Sequence, residues 1–437
     1  MGNSIFNNVQ MTITYKKIAL YYLLLSFSFG IISGILNGLS IVLIFDIMLV
    51  ALVFAIFFTK KIHKDSMQII ILIIFAMICM FGVFRYGFNP TTLGLFFKSR
   101  GFFVFLATTF FYLFTFSKLD TDELVKVDIL VENVIKLNII AILVEGIAIN
   151  YFGMQSYLYQ IFSSADYRIN PVPVFFDSIP NGLVFGRQNA SVISVIGILL
   201  WLPWNKGRRR VLRNNIWLFA SGVSWMLTMT TTSIVCFIVP VLFIYFTGMV
   251  KERRLFFLIF SAMLVYAVIS YYQNILEMRY GDSILSYENT DDFIESYYYA
   301  FTEPIEQIKI APLEIIIGTG HLIEEDTKYS KIMSRTESLE LGVLAMAIKH
   351  GAILTGITLV FFLIHILKLL RFFHESIVSK VEKGIILRSF CITLPLIVSL
   401  GHYNSLFKPG IMQLMATAVA LPYVLRKKKE EMMSMRE

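Results

Sequence analysis

What most constrains this chain is the recurrence of uninterrupted apolar runs of membrane length. "MQIIILIIFAMICMFGVF" and "AILTGITLVFFLIHILKLL" are two of them. A bilayer core is crossed by about 20 consecutive apolar residues in a helix. Runs of this kind recur along all 437 residues, and only 16% of the chain is charged, against roughly 25% in a soluble protein. Open sheets leave unpaired backbone groups that lipid cannot satisfy, and barrel strands are short and alternating. The expected fold is therefore an all-α polytopic membrane protein.

Twelve spans are expected, near 18–36, 39–58, 67–84, 95–117, 132–150, 188–204, 216–228, 232–250, 255–272, 352–370, 385–400 and 410–425. The seventh is short and carries a break near "TMTTTS". The first begins like a signal peptide, "YKKIALYYLLL", but lacks a small-x-small cleavage pattern, so it is read as a retained helix. Cys79, Cys236 and Cys391 all fall inside apolar runs, which argues against a disulfide framework.

Lys and Arg accumulate on cytoplasmic connections. Here alternate connections hold Lys16–Lys17, "TKKIHK", Lys118 with Lys126, "NKGRRRVLR", "KERR", the group Lys368, Arg371, Lys380 and Lys383, and the tail "RKKKEEMMSMR". They hold 24 of the 38 basic residues and place both termini in the cytoplasm. Residues 273–337 then lie outside, with 13 acidic against 5 basic residues in a chain whose net charge is +8. The basic excess is thus a topology signal, and no nucleic-acid partner is expected.

The chain divides into residues 1–272 with nine spans and an external loop at 151–187, a large external loop at 273–351, and residues 352–437 with three spans and a basic tail. The large loop is expected to end in an amphipathic helix. "SRTE" has the form of a capping box, Ser334 to Glu337, followed by Leu341, Leu344, Ala345 and Ile348 at helical spacing.

Cations on the outer side run against the insertion bias and are the informative residues. Lys98 and Arg100 flank the outer end of the fourth span in "FFKSRGFFVF". They serve either as snorkelling anchors or as partners of a phosphate at the interface. "FGRQNAS" delivers Arg187 to the start of the sixth span, after a Pro-stiffened stretch containing Arg168. Arg suits bidentate recognition of phosphate. Arg335 sits at a helix start, a natural anion site. Glu337 serves either as the capping-box acid or as a base, and Glu340 is the alternative acid. His321 follows "GTG", and His350 stands at the entry to the tenth span. No Cys, His and Asp grouping has metal-ligand spacing, and no Walker or dinucleotide loop is present. No metal or cofactor is expected.

This layout resembles the Wzy-type O-antigen polymerases and, more distantly, the O-antigen ligases of the same superfamily. The resemblance rests on the span pattern, "FGRQNAS" before the sixth span, "TMTTTS" entering the eighth, and the external stretch from "GTGH" to "SRTESLELGVLAMAIKHG". It implies a GT-C-like membrane glycosyltransferase of the bacterial inner membrane, with its active face periplasmic. Such an enzyme would move a growing glycan from undecaprenyl diphosphate onto the non-reducing end of a lipid-linked oligosaccharide repeat unit. It would work within the lipid bilayer, with a chain-length regulator protein as a further partner. The resemblance also implies that external-loop arginines bind substrate, here Arg187 and Arg168 in the first loop and Arg335 and Arg279 in the second. The ligases carry His-Asn near the start of the helix after the large loop. This chain carries Glu337, Ser338 and Glu340 there, leaving the base open among Glu337, Glu340 and His321. The alternatives are a ligase-like transferase and a flippase or transporter of lipid-linked oligosaccharide. Transporters usually show related halves, and none are visible here.

Overall fold

The structure, a computed structural model, describes residues 100–153, 187–202, 211–228, 230–249, 352–375, 379–401 and 410–434, with Leu49, Val53, Val343, Met346 and Ala347 individually. Among the described residues all regular structure is helical. The helices are α1 (Arg100–Phe116), α2 (Thr121–Tyr151), α3 (Arg187–Trp201), α4 (Val211–Thr228), α5 (Thr231–Phe246), α6 (Ala352–His374), α7 (Lys380–Ser399) and α8 (Ile411–Ser434).

Local chemistry shapes the helix ends, and several of them move from where hydropathy alone puts them. α2 begins well before position 132, because "DTDEL" is a helix start. Asp120 accepts from the backbone N–H of Glu123 at 2.7 Å, and the Glu123 carboxylate accepts from the Asp120 N–H at 3.2 Å. This is a complete capping box, and it opens a helix of 31 residues. At about 1.5 Å per residue, α2 is longer than the roughly 30 Å of a bilayer core. α4 likewise starts at Val211, ahead of the expected 216. The expected break near "TMTTTS" is present: α4 ends at Thr228, and Thr230 caps α5 through Ser233.

The third correction is the basic tail, which is helical to Ser434 as the end of α8. Arg426 pairs with Glu430 one turn along at 3.0 Å and with Glu375 beyond the end of α6 at 2.7 Å, while Lys429 reaches Glu382 of α7 at 2.7 Å. Glu382 also closes a capping box with Ser379. Burial pushes the Glu382 carboxyl up, but the Lys429 ammonium and the Ser379 backbone and hydroxyl outweigh it and hold it below its ordinary value. A carboxyl depressed in the folded state stabilises fully above its unfolded value, and that contribution fades as pH falls through the folded one. Acid should therefore loosen the α7–α8 junction. In a titration of thermal unfolding between pH 7 and about pH 3, Lys429→Met is expected to flatten the acid-side loss. An unchanged slope would remove Lys429 from this account.

The helices pack with α3 and α7 near the centre. α3 meets α4 through a Ser194–Ser224 hydroxyl contact at 2.7 Å and through Trp201 against Trp217, centroids 5.8 Å apart. Since the paired numbers rise on one helix and fall on the other, these two run antiparallel. α7 touches α3 where the Cys391 thiol donates to the Leu199 carbonyl at 3.6 Å, and touches α5 where Phe390 meets Phe243 at 5.9 Å. Cys236 and Cys391 are both free and buried. α6 and α8 run the same way, since Lys368 lies over Tyr423 and Arg426 over Phe372.

Outward faces are apolar. Leu137, Ile140, Val144 and Ile147 form an exposed stripe on α2, and Val360, Leu363, Ile364 and Leu367 another on α6. Among the described residues one helix is both long and apolar enough to cross a bilayer, α6 over Thr355–His374, with a mean hydropathy of 2.0. Val104–Phe116, Gln188–Trp201 and Thr232–Phe246 are apolar but shorter. Of the expected spans, those at 18–36, 39–58, 67–84 and 255–272 lie outside the described residues, apart from the helical positions Leu49 and Val53.

Candidate functional site

Contacts between helices sort their ends into two faces. One face is bound by ion pairs. The Arg388 Nε donates to Asp128 Oδ1 at 2.9 Å, and a second guanidinium nitrogen meets the other carboxylate oxygen. Glu375–Arg426 and Glu382–Lys429 lie on the same face. These pairs join the N-terminal parts of α2 and α7 to the C-terminal ends of α6 and α8. All of these belong to the face that the Lys and Arg distribution assigns to the cytoplasm. The Asp128–Arg388 pair escaped the sequence reading, although it had a signal: a lone Arg inside the apolar run of α7 needs a partner.

The opposite face is built differently. α3 and α5 are both antiparallel to α4, so they run the same way, and both touch adjacent residues of α7, Cys391 and Phe390. Counting back along each from those contacts brings Arg187 and Thr231, their first residues, to one level. Two helix N-termini therefore lie side by side, each an end of partial positive charge.

Below that level is a layer of buried hydroxyls and amides: Asn189, Ser191 and Ser194 on α3, Ser224 and Thr228 on α4, Thr232 and Ser233 on α5. Part of the layer is locked. The Trp225 indole donates to the Ser233 hydroxyl at 2.7 Å, which donates to the Thr230 carbonyl at 2.7 Å, and Thr228 bonds back to Ser224. Two of its hydroxyls, on Ser191 and Thr232, are buried without a hydrogen-bond partner. An unsatisfied buried polar group costs about 1–3 kcal/mol, so this layer is not an optimised apolar core. It offers donors to an anionic or hydroxyl-rich guest arriving at the helix starts.

Of the residues singled out in the sequence, Arg187 and Arg100 fall within the described set, as the first residues of α3 and α1. Both are placed by their backbones, and both belong to the face opposite the ion pairs. Lys98, Arg168, Arg279, His321, Arg335, Glu337, Glu340 and His350 lie outside the described residues. Three positions of the helix expected after "SRTE" are described, and Val343, Met346 and Ala347 are all helical. Met346 is buried although it stands off the expected apolar stripe. The buried hydroxyl layer was not read from the sequence, because Ser and Thr spread over three helices carry no local motif.

No protein-family model, curated protein or solved structure matches the chain.

Proposed function

We propose that the chain is a polytopic inner-membrane glycosyltransferase, an O-antigen polymerase of the Wzy type, working on undecaprenyl-diphosphate-linked oligosaccharide at the periplasmic face. The observation that carries this reading is the placement of Arg187. It opens a helix whose N-terminus lies level with a second one, above a buried hydroxyl layer and on the face opposite the Lys- and Arg-rich end. Twelve spans with cytoplasmic termini follow from the same reading. The outward apolar stripes on α2 and α6 suit lipid contact.

The chemistry follows from the charge that develops. An acceptor hydroxyl at the non-reducing end of a fresh repeat unit attacks C1 of the donor glycan. The C1–oxygen bond to the diphosphate breaks, and its electron pair stays on the diphosphate. The hydroxyl proton passes to a base, for which Glu337, Glu340 and His321 are the candidates. Negative charge growing on the leaving diphosphate is stabilised by Arg187, by the paired helix N-termini, and by loop cations such as Arg335 and Arg168.

The test is complementation of a deletion strain, with surface glycan resolved on a gel. Deletion should leave single repeat units on the lipid core, and the wild-type gene should restore a ladder. Arg187→Ala is expected to insert normally and to slow polymerisation by about a hundredfold or more, the usual loss for one transition-state donor. Bare lipid core with accumulated long lipid-linked polymer would instead identify a ligase. Repeat units trapped on the cytoplasmic side would identify a flippase.

A further inference from the structure

The exposed face of α6 ends abruptly in charge. Val360, Ile364 and Leu367 are exposed at four- and three-residue spacing, with Leu363 beside them, and the next residue of that series is Arg371. From Val360 to Arg371 is about 16 Å, at a rise of about 1.5 Å per residue. That is close to half of a bilayer core of about 30 Å. One helical face thus carries a leaflet's depth of apolar side chains and then a guanidinium, at the end that the Lys and Arg distribution assigns to the cytoplasm.

The charge at this end is not cancelled. Arg371 is 81% exposed, and its Nε stands 3.5 Å from Glu375, longer than a hydrogen bond. Glu375 is held instead by Arg426 of α8 at 2.7 Å. Lys368 precedes Arg371 by three residues, so the two are neighbours on the helix surface. The Lys368 ammonium lies over the Tyr423 ring of α8, 5.3 Å from its centroid, and forms no ion pair among the described residues. A ring fixes a cation in place and leaves its charge standing, whereas a carboxylate neutralises it, as Glu382 does for Lys429. Neighbouring like charges on a helix repel, and an anion between them reverses that cost.

We propose that Lys368 and Arg371 form a headgroup site for an anionic phospholipid of the cytoplasmic leaflet. Its phosphate lies between the ammonium and the guanidinium, and its chains run along Val360, Leu363, Ile364 and Leu367. Arg can engage two phosphate oxygens at once, and Lys adds a point charge. The apolar stripe selects a lipid over free phosphate. The uncancelled cations select an anionic lipid, because a zwitterionic one brings its own cation to the same place. The site rests on the membrane placement of α6 proposed above and does not depend on the transferase reaction.

The test is native mass spectrometry of the full chain in a neutral detergent, titrated with phosphatidylglycerol or with phosphatidylcholine of the same chains. Wild type should bind phosphatidylglycerol more tightly. Lys368→Gln/Arg371→Gln should weaken that binding roughly thirtyfold, the expectation for two cations at a membrane surface, and leave phosphatidylcholine unchanged. Leu367→Gln keeps both cations and should also weaken it. Lys380→Gln/Lys383→Gln removes the same charge from α7 and should stay close to wild type.

A wild-type chain with no preference between the two lipids would overturn the site. So would an equal loss in the α7 variant, which would mean a diffuse basic surface. Inorganic phosphate competing as well as phosphatidylglycerol would overturn the lipid as its occupant. A chain that stays dispersed without detergent would overturn the membrane placement itself.

Discussion

Arg388→Ala is expected to lower the unfolding free energy by about 3–5 kcal/mol, the usual cost of breaking a buried ion pair by removing one partner. The magnitude comes from what is left behind. Asp128 has only 7% of its side chain exposed, and both its carboxylate oxygens are engaged by Arg388. Deleting the guanidinium strands a carboxylate among apolar neighbours such as Leu124, Val127 and Val131. The pair also spans 260 residues of sequence, so its loss unties α2 from α7.

Three comparisons make the expectation specific. Asp128→Asn/Arg388→Met removes both charges and should cost less than Arg388→Ala. The swap Asp128→Arg/Arg388→Asp should recover part of the loss. Arg371→Ala removes a guanidinium that is 81% exposed and 3.5 Å from Glu375, so it should change stability by less than about 1 kcal/mol. Thermal or denaturant unfolding in detergent would measure all four. An Arg388→Ala protein no less stable than Arg371→Ala would mean that the pair does not hold these helices together.

The second large effect is steric. Gly197 lies where α3 meets α2 and α4, and a Cβ there would come within 2.7 Å of the Ile139 Cδ1, 2.7 Å of the Ser221 Oγ and 2.9 Å of the Trp201 ring. All three contacts are shorter than packed atoms tolerate. Ile139 and Ser221 are fully buried and Trp201 nearly so, so none can swing into solvent. Gly197→Leu is expected to cost at least about 3 kcal/mol, the upper end for overpacking, or to prevent folding. Gly197→Ala should still lose stability despite the roughly 1 kcal/mol that Ala gains over Gly inside a helix. Gly222 on α4 and Gly356 on α6 have nothing within 4 Å of the added carbon. Ala at either should be neutral or stabilising by up to about 1 kcal/mol. If Gly197→Ala behaves like Gly222→Ala in unfolding by intrinsic Trp fluorescence, α3 does not pack as closely as its backbone implies.

Much of the helical pattern was legible in order. Apolar runs locate α1, α3, α5, α6 and α7 to within a few residues, because burying a helix in lipid or in other helices requires the same continuous hydrophobicity. The ends were less legible. At Asp120 and Ser379 a capping box adds turns that hydropathy assigns to a loop, and at Ser434 cross-helix ion pairs hold a charged segment helical. Arg187 was singled out from its charge alone, since a cation on the side that the insertion rule expects to be poor in cations stands out without any neighbour.

The sequence by itself determined the all-helical class, the places where the described helices run, and the ends at which positive charge collects, all of which are local or additive properties. Tertiary structure decided the rest, because each feature is a relation between helices far apart in the chain. Arg388 becomes a tether when α7 meets α2, and Arg187 acquires a second helix start beside it when α3 lies level with α5. Thr108, Thr355 and His365 are unremarkable in sequence. They become buried polar groups because α1 and α6 turn those side chains into the protein.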